Sequence, residues 1–310
     1  MVVLAGITLL CLPVSCRNSG RSEFRNSVAA ASAELGDQHG SLRVEGTKRT
    51  YLVHLPPTSV RRGRLPVVLA FHGRFGTGAA QEKLSNFNAV ADREGFLVVY
   101  PDGIGRSWNA GHGVGKAERR NVDDVQFVSK LIDAVVKEYG ADPARVYAAG
   151  MSMGGIFSHR LGCELADRIA AVASVAGPMS SSEAVNCQPT SPVSVMILHG
   201  VEDRIVPYEG GQTRSGGEVG SVPETLAAWA RVDSCKQPPS EQQVASDIVC
   251  RTYSECRQGS EVVMCAFAGA GHTWPGGEQY APKLMVGKTN GTANASEMIW
   301  DFFKRHQKSR

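Results

Sequence analysis

Residues 145–155 read RVYAAGMSMGG, a short run of small and β-branched residues that stops at Gly150-Met151-Ser152-Met153-Gly154 before an amphipathic stretch begins. The pattern is a strand, a sharp turn and the first turn of a helix. A serine hydroxyl is a poor nucleophile unless it is held clear of its neighbours, beside a base and over preorganised N–H donors, and a strained strand-to-helix turn supplies that exposure. Gly150 and Gly154 leave room for the turn. The helix opening after Ser152 points free backbone N–H groups and a positive dipole end at any developing oxyanion. A glycine-rich turn of no chemical consequence has the same five-residue pattern. Deciding between the two requires a preceding strand, a following helix, and partners in the chain order serine, acid, histidine.

Working outward, LPVVLAFHG (65–73), FLVVYPDG (96–103), AAVASVAG (170–177) and PVSVMILHG (192–200) are continuous apolar runs of the kind that fill buried central strands. SLRVEG (41–46) and RTYLVHLP (49–56) alternate apolar and polar residues around a turn and predict an antiparallel hairpin. Helical patterns lie between the strands. AAQEKLSNFNAVADRE (79–94) is closed by Gly95; residues 122–139 place Val125, Val128, Leu131, Ile132, Val135, Val136 and Tyr139 on one face; ETLAAWARV (224–232) and SEMIWDFFKRH (296–306) follow capping boxes at Ser221/Glu224 and Asn294/Glu297. Asp123 and Asp124 look like a metal pair only superficially. At the start of a helix they read as caps that complement its dipole. The count is about eight strands, mostly parallel, with helices on both faces.

The chain has 310 residues, of which 42% are apolar and 20% charged, with a formal net charge of +3, enough for one large core and too weakly and diffusely charged for a nucleic-acid footprint. Residues 1–20 read as an export signal. The apolar run MVVLAGITLLCLPVSC is too short to span a bilayer, although no Lys or Arg precedes it. Residues 13–16 are similar to the end of a lipoprotein signal with Pro13 where leucine is usual, so plain cleavage and lipidation of Cys16 both stand. A polar leader (21–40) and a single catalytic domain (41–310) follow. The expected location is extracellular or in the cell envelope, with no transmembrane span.

Of the eight cysteines, Cys11 and Cys16 fall in the export signal, and an even set remains: Cys163, Cys187, Cys235, Cys250, Cys256 and Cys265. In an exported chain an even set predicts disulfides, and the absence of C-x-x-C spacing argues against zinc. Cys250 and Cys265 sit equidistant from a turn at Arg257 and Gln258 on the β-like runs DIVCRTY and EVVMCAF, which predicts that they face each other across a hairpin. We pair Cys250 with Cys265, Cys235 with Cys256, and Cys163 with Cys187.

In sheets of this kind sites lie past the carboxyl ends of the strands. Asp203 follows the run that ends at His199 and Gly200, and His272 follows the last β run. The order Ser152, Asp203, His272 is that of an α/β-hydrolase. His272 would take and return the serine proton while Asp203 holds its tautomer. Glu202 and Asp233 are the rival acids. Met153, after the nucleophile, and Arg74, after the third strand, are the candidate backbone donors of an oxyanion hole. His72 and His199 read as structural side chains. Trp108, in the long glycine-rich loop 103–121, and Trp274 are candidates to line an aromatic pocket, with loop packing as the other reading. No metal or cofactor is required by this chemistry.

FHG, PDG followed by SWNAGHG, VDDV, GMSMGG, HGVEDRIVPY and GAGHTWPGG, spread in this order over about residues 50–305, resemble the esterase family that groups polyhydroxybutyrate depolymerases with feruloyl and acetylxylan esterases. The resemblance implies an exported α/β-hydrolase with Ser152, Asp203 and His272 as its triad, forming an acyl-enzyme. Many relatives carry cysteine after the first HG, where this chain has Arg74. The expected substrates are feruloyl or acetyl esters of plant polysaccharide or other small soluble esters, since no stretch remains for a polyester-adsorbing module; polyhydroxybutyrate is the alternative. A non-catalytic binding protein on the same fold would be expected to lack a triad member. A lipase usually needs an apolar lid, and EGGQTRSGGEVG (209–220) is polar.

Overall fold

A computed structural model describes residues 36–308. They fall in the compact unit that begins at Gly36. The expected export signal with Cys16, and most of the polar leader, lie outside the described residues. The first strand already begins at Gln38, inside the stretch read as leader.

The hairpin β1 (Gln38–Val44) and β2 (Thr47–His54) turns at Glu45 and Gly46, both at positive φ. β3 (Val67–Phe71) leads to α1 (Gly78–Ser85) and α2 (Phe87–Glu94). The sequence reads as one helix here, but Asn86 adopts φ 52° and splits it, its left-handed backbone ending the first helix and starting the second. β4 (Leu97–Pro101) is followed by the long loop with the short α3 (Lys116–Arg119), then α4 (Asp124–Tyr139), β5 (Val146–Met151), α5 (Met153–Glu164), β6 (Ala171–Val175), α6 (Ser181–Asn186) and β7 (Ser194–Gly200). A two-stranded ribbon, β8 (Gly211–Gln212) and β9 (Glu218–Val219), precedes α7 (Val222–Val232). The chain ends with β10 (Ser240–Ala245), β11 (Ile248–Tyr253), β12 (Val262–Phe267), α8 (Lys283–Val286) and α9 (Ala295–Phe303).

The main sheet has ten strands in the order β1-β2-β4-β3-β5-β6-β7-β12-β11-β10, not the eight expected. Its centre, from β4 to β12, is parallel, and an antiparallel pair is added at each edge. β10, SEQQVA, is the strand of this sheet that matches none of the runs named from the sequence; it is almost wholly exposed, and an edge strand with neither face covered carries no apolar period to recognise. Strand alternation sends neighbours to opposite faces. Val67, Leu69 and Phe71 join one core cluster with Phe127 and Leu131 of α4, Phe157 of α5 and Trp229 of α7, while Val68 and Ala70 join the other with Phe87 and Val90 of α2 and Ile299 and Trp300 of α9. Each large side chain so buried contributes roughly 1.5–3 kcal/mol, which holds the helices on both faces and fixes the strand ends that carry the site.

The Ser221/Glu224 capping box on α7 is present in both directions. At α9 only half of the expected box forms: Asn294 accepts from the Ser296 and Glu297 amides, while the Glu297 carboxylate pairs with Arg93 at 2.5 Å. Three disulfides join Cys163 to Cys187, Cys235 to Cys256, and Cys250 to Cys265. The last lies directly across the β11–β12 pairing.

Candidate active site

β5 ends at Met151 and α5 starts at Met153, so Ser152 is the whole connection. Its φ of 57° and ψ of −122° lie outside the regions ordinary residues occupy, a strain of roughly 1–3 kcal/mol that the packing around it must offset. The glycines are required by close approach. A Cβ on Gly150 would stand 2.3 Å from the Gly154 carbonyl oxygen, and one on Gly154 would stand 2.2 Å from that of Phe71, so any side chain at either position would drive the turn open. The Ser152 amide donates to Val175 at 2.8 Å, fastening the turn to β6.

Asp203 and His272 are both buried and meet with His272 Nδ1 at 2.7 Å from Asp203 Oδ2. The other carboxylate oxygen of Asp203 accepts from the Ile205 and Val206 amides at 2.8 and 2.9 Å. Burial alone would raise this carboxyl; attraction to His272 and to nearby His199, with the hydrogen bond from His272, outweighs it and holds Asp203 well below the usual carboxylate range. An ionised Asp203 can only accept, so the proton sits on His272 Nδ1 and Nε2 keeps its lone pair. The loop is anchored further by the His272 amide donating to Val286 at 2.6 Å and by Tyr280 Oη donating to the His272 carbonyl at 2.9 Å. Of the rival acids, Glu202 is exposed, and Asp233 is buried beyond α7, where it accepts from the Val193 amide.

Ser152 and His272 open on one cleft of about 380 Å³, lined also by Arg74, Phe75, Met151 and Tyr280. Arg74, in the loop after β3, lines the cleft, and Met153 opens α5, in the first turn, where amides have no acceptor within the helix. His72 braces that loop, with Nδ1 donating to the Gly73 carbonyl at 2.8 Å and Nε2 accepting from the Gly103 amide at 3.0 Å. Both nitrogens are used and burial lowers its pKa, so His72 is a neutral strut. His199, also buried, donates Nε2–H to the Val206 carbonyl at 2.9 Å.

Two expectations need correction. Trp108 and Trp274 do not line the cleft; both are fully buried and their indole N–H groups are already spent inside the protein. Trp108 stacks on Phe157 with ring centroids 5.2 Å apart and donates to the His72 carbonyl at 2.9 Å, and Trp274 packs edge-on to Phe87 and donates to Ser296 Oγ at 3.1 Å. The exposed aromatic surface at the cleft belongs to Phe75 and Tyr280, 64% and 45% exposed. Nothing in their local sequence distinguishes them from loop residues, because their exposure depends on how distant loops meet. The second correction concerns Asp124. Asp123 caps α4 by accepting from the Gln126 amide, but Asp124 forms a buried ion pair with Arg49 at 2.7 Å and accepts from the Asn109 amide, tying the long loop to β2.

A sequence model of the family described as esterase PHB depolymerase matches residues 49–206. NocK, a candidate esterase of Nocardia uniformis subsp. tsuyamanensis, is 30% identical over 277 residues, 84% of this chain and 80% of the relative. Feruloyl esterase B of Piromyces equi is 30% identical over 234 residues, 72% of this chain but 42% of the relative, so the chain spans less than half the length of that protein. Among solved structures, the acetyl xylan esterase from Aspergillus awamori superposes with a TM-score of 0.59 at 15% identity, over 86% of this chain and 99% of that one, a likeness of fold. With a serine elbow, a buried acid–histidine pair and a matching family model spanning both the elbow and Asp203, the chain belongs to the PHB-depolymerase esterase family, carboxylic-ester hydrolases built on the α/β-hydrolase fold.

Proposed function

We propose that this protein is a serine esterase working through an acyl-enzyme on Ser152. The observation that carries the reading is the His272–Asp203 hydrogen bond of 2.7 Å opening on the same cleft as the strained Ser152. Ser152 Oγ gives its proton to His272 Nε2 and attacks the ester carbonyl carbon. Negative charge collects on the carbonyl oxygen, and the Arg74 and Met153 amides donate to it. The bond to the alcohol oxygen breaks as His272 returns the proton to that oxygen, leaving acyl-Ser152. Water, deprotonated by His272, then attacks the acyl carbon; the acid leaves and the proton returns to Ser152.

Feruloyl or acetyl esters of plant polysaccharide, or other small soluble esters, are the substrate class we infer. The cleft is small, Phe75 and Tyr280 offer aromatic faces to a phenolic ring or sugar, and relatives bear the names feruloyl esterase and acetylxylan esterase. Three disulfides favour an oxidising compartment, in keeping with export to the extracellular space or the cell envelope. The test is a side-by-side comparison of kcat/KM on methyl ferulate, acetylated xylo-oligosaccharides and 4-nitrophenyl acetate with hydroxybutyrate release from polyhydroxybutyrate film. Faster turnover of the soluble esters is expected. Rapid film erosion with negligible activity on them would replace this reading with that of a polyester depolymerase.

A further inference from the structure

The loop that carries one of the oxyanion donors also carries a charge that the ester chemistry does not use. Among the residues lining the cleft, Arg74 is the one with a permanent charge, and no acidic side chain lines it. Its guanidinium has no acidic partner among the described residues; it lies over the Phe75 ring, 4.6 Å from the centroid. Phe75 itself is held at φ 67°, a conformation that bulky side chains avoid, by its amide donating to the Arg106 carbonyl at 2.8 Å, while the Gly76 amide closes the turn onto Gly73 at 2.9 Å. The loop thus holds a cation–aromatic pair, on a strained backbone, in the wall of the cleft that Ser152 also lines. A lone cation in a largely apolar cleft attracts anions more strongly than it would in water, and a guanidinium suits a carboxylate in both shape and charge.

Resting on the esterase reading above, we infer that Arg74 is a specificity-determining residue that selects esters bearing a carboxylate within a few bonds of the scissile carbonyl. The Arg74 amide serves the oxyanion of every ester; its side chain discriminates among them. Neutral esters forgo the second contact. A substrate carboxylate would form a charge-assisted hydrogen bond with the guanidinium while Phe75 keeps that group from folding away.

The experiment measures kcat/KM for two matched pairs. One carries the charge on the acyl side (mono-4-nitrophenyl glutarate against 4-nitrophenyl valerate), the other on the alcohol side (4-acetoxybenzoate against 4-acetoxybenzamide), in wild type, Arg74→Gln and Arg74→Lys. The anionic-to-neutral ratio is taken within each enzyme, so a general change in turnover cancels. In at least one pair the ratio is expected to fall about five- to thirtyfold in Arg74→Gln, to be partly retained in Arg74→Lys, and to decline in wild type as salt is raised. An unchanged ratio in both pairs overturns the inference, as does an equal loss on all four esters, which would assign Arg74 to the transition state or to the loop's integrity. Failure of wild type to hydrolyse any of the esters would instead strike at the esterase reading itself.

Discussion

Replacing Asp203 with asparagine changes little in volume and tests the assignment of the acid through hydrogen-bond direction alone. In the native protein one carboxylate oxygen accepts from two backbone amides, Ile205 and Val206, and the other accepts from His272 Nδ1 at 2.7 Å, with His199 Nε2 3.5 Å away. An asparagine can place its oxygen on only one side. Turned toward His272, it would set its NH₂ against two buried amide donors, leaving both unsatisfied at roughly 1–3 kcal/mol each. The favoured rotamer therefore keeps the oxygen on the amides and points NH₂ at His272. Nδ1 must then accept, the imidazole proton moves to Nε2, and the atom that should take the serine proton already holds one. A wrong tautomer of this kind lowers kcat by about 10⁴ in a serine triad, or roughly 5 kcal/mol of transition-state stabilisation. KM should move little, because Asp203 is buried behind His272 and does not line the cleft. The assay is steady-state hydrolysis of 4-nitrophenyl acetate by wild type, Asp203→Asn and Glu202→Gln, with urea midpoints to establish that each is folded. A fall of less than about tenfold in Asp203→Asn, well short of the triad value, would refute the tautomer argument, and a larger loss in Glu202→Gln would mean that the acid is misassigned.

Ser152→Ala should abolish measurable turnover, by a factor on the order of 10⁶, while keeping the urea midpoint of the wild type; retention of a hundredth or more of the activity, on the order of 10⁻², would exclude Ser152 as nucleophile. Fully buried His159 accepts from Trp229 Nε1 at 3.0 Å, and burial pushes its pKa down to about 3 from an ordinary 6.5. Because the folded value lies below the unfolded one, its contribution is complete above 6.5 and is lost as pH falls from there toward about 3, a swing of roughly 4–5 kcal/mol. His159→Gln should flatten the acid limb of the stability curve measured by denaturant titration, and an unchanged slope would contradict the burial argument. Trp274→Ala should destabilise the fold by roughly 3–5 kcal/mol without a selective loss on methyl ferulate, whereas Phe75→Ala should raise KM for methyl ferulate more than for methyl acetate. The reverse pattern in those two variants would return Trp274 to the substrate site.

What the sequence determined by itself is what depends on neighbours along the chain. The Ser152 elbow is legible because its signal is local: a glycine two residues to each side of the serine, a strand that must stop and a helix that must start. The order of Ser152, Asp203 and His272 is legible because each follows a strand run, and strand ends converge in a parallel sheet. Cys250 and Cys265 are legible because a hairpin turns equal spacing into cross-strand register. Tertiary structure decided whatever depends on which surfaces meet. The exposed edge strand β10 has no apolar period, so the sheet gained a strand that no pattern announced. Trp108 and Trp274 could not be assigned to cleft or core from their loops, since an indole serves in either and only the packing of Phe157 and Phe87 against them decides it. Asp124 reads as a cap until β2 brings Arg49 beneath it, 75 residues away in the chain. The cation–aromatic pair of Arg74 and Phe75 became visible for the same reason: whether a charge is partnered is a property of the space around it, and chain order does not specify that space.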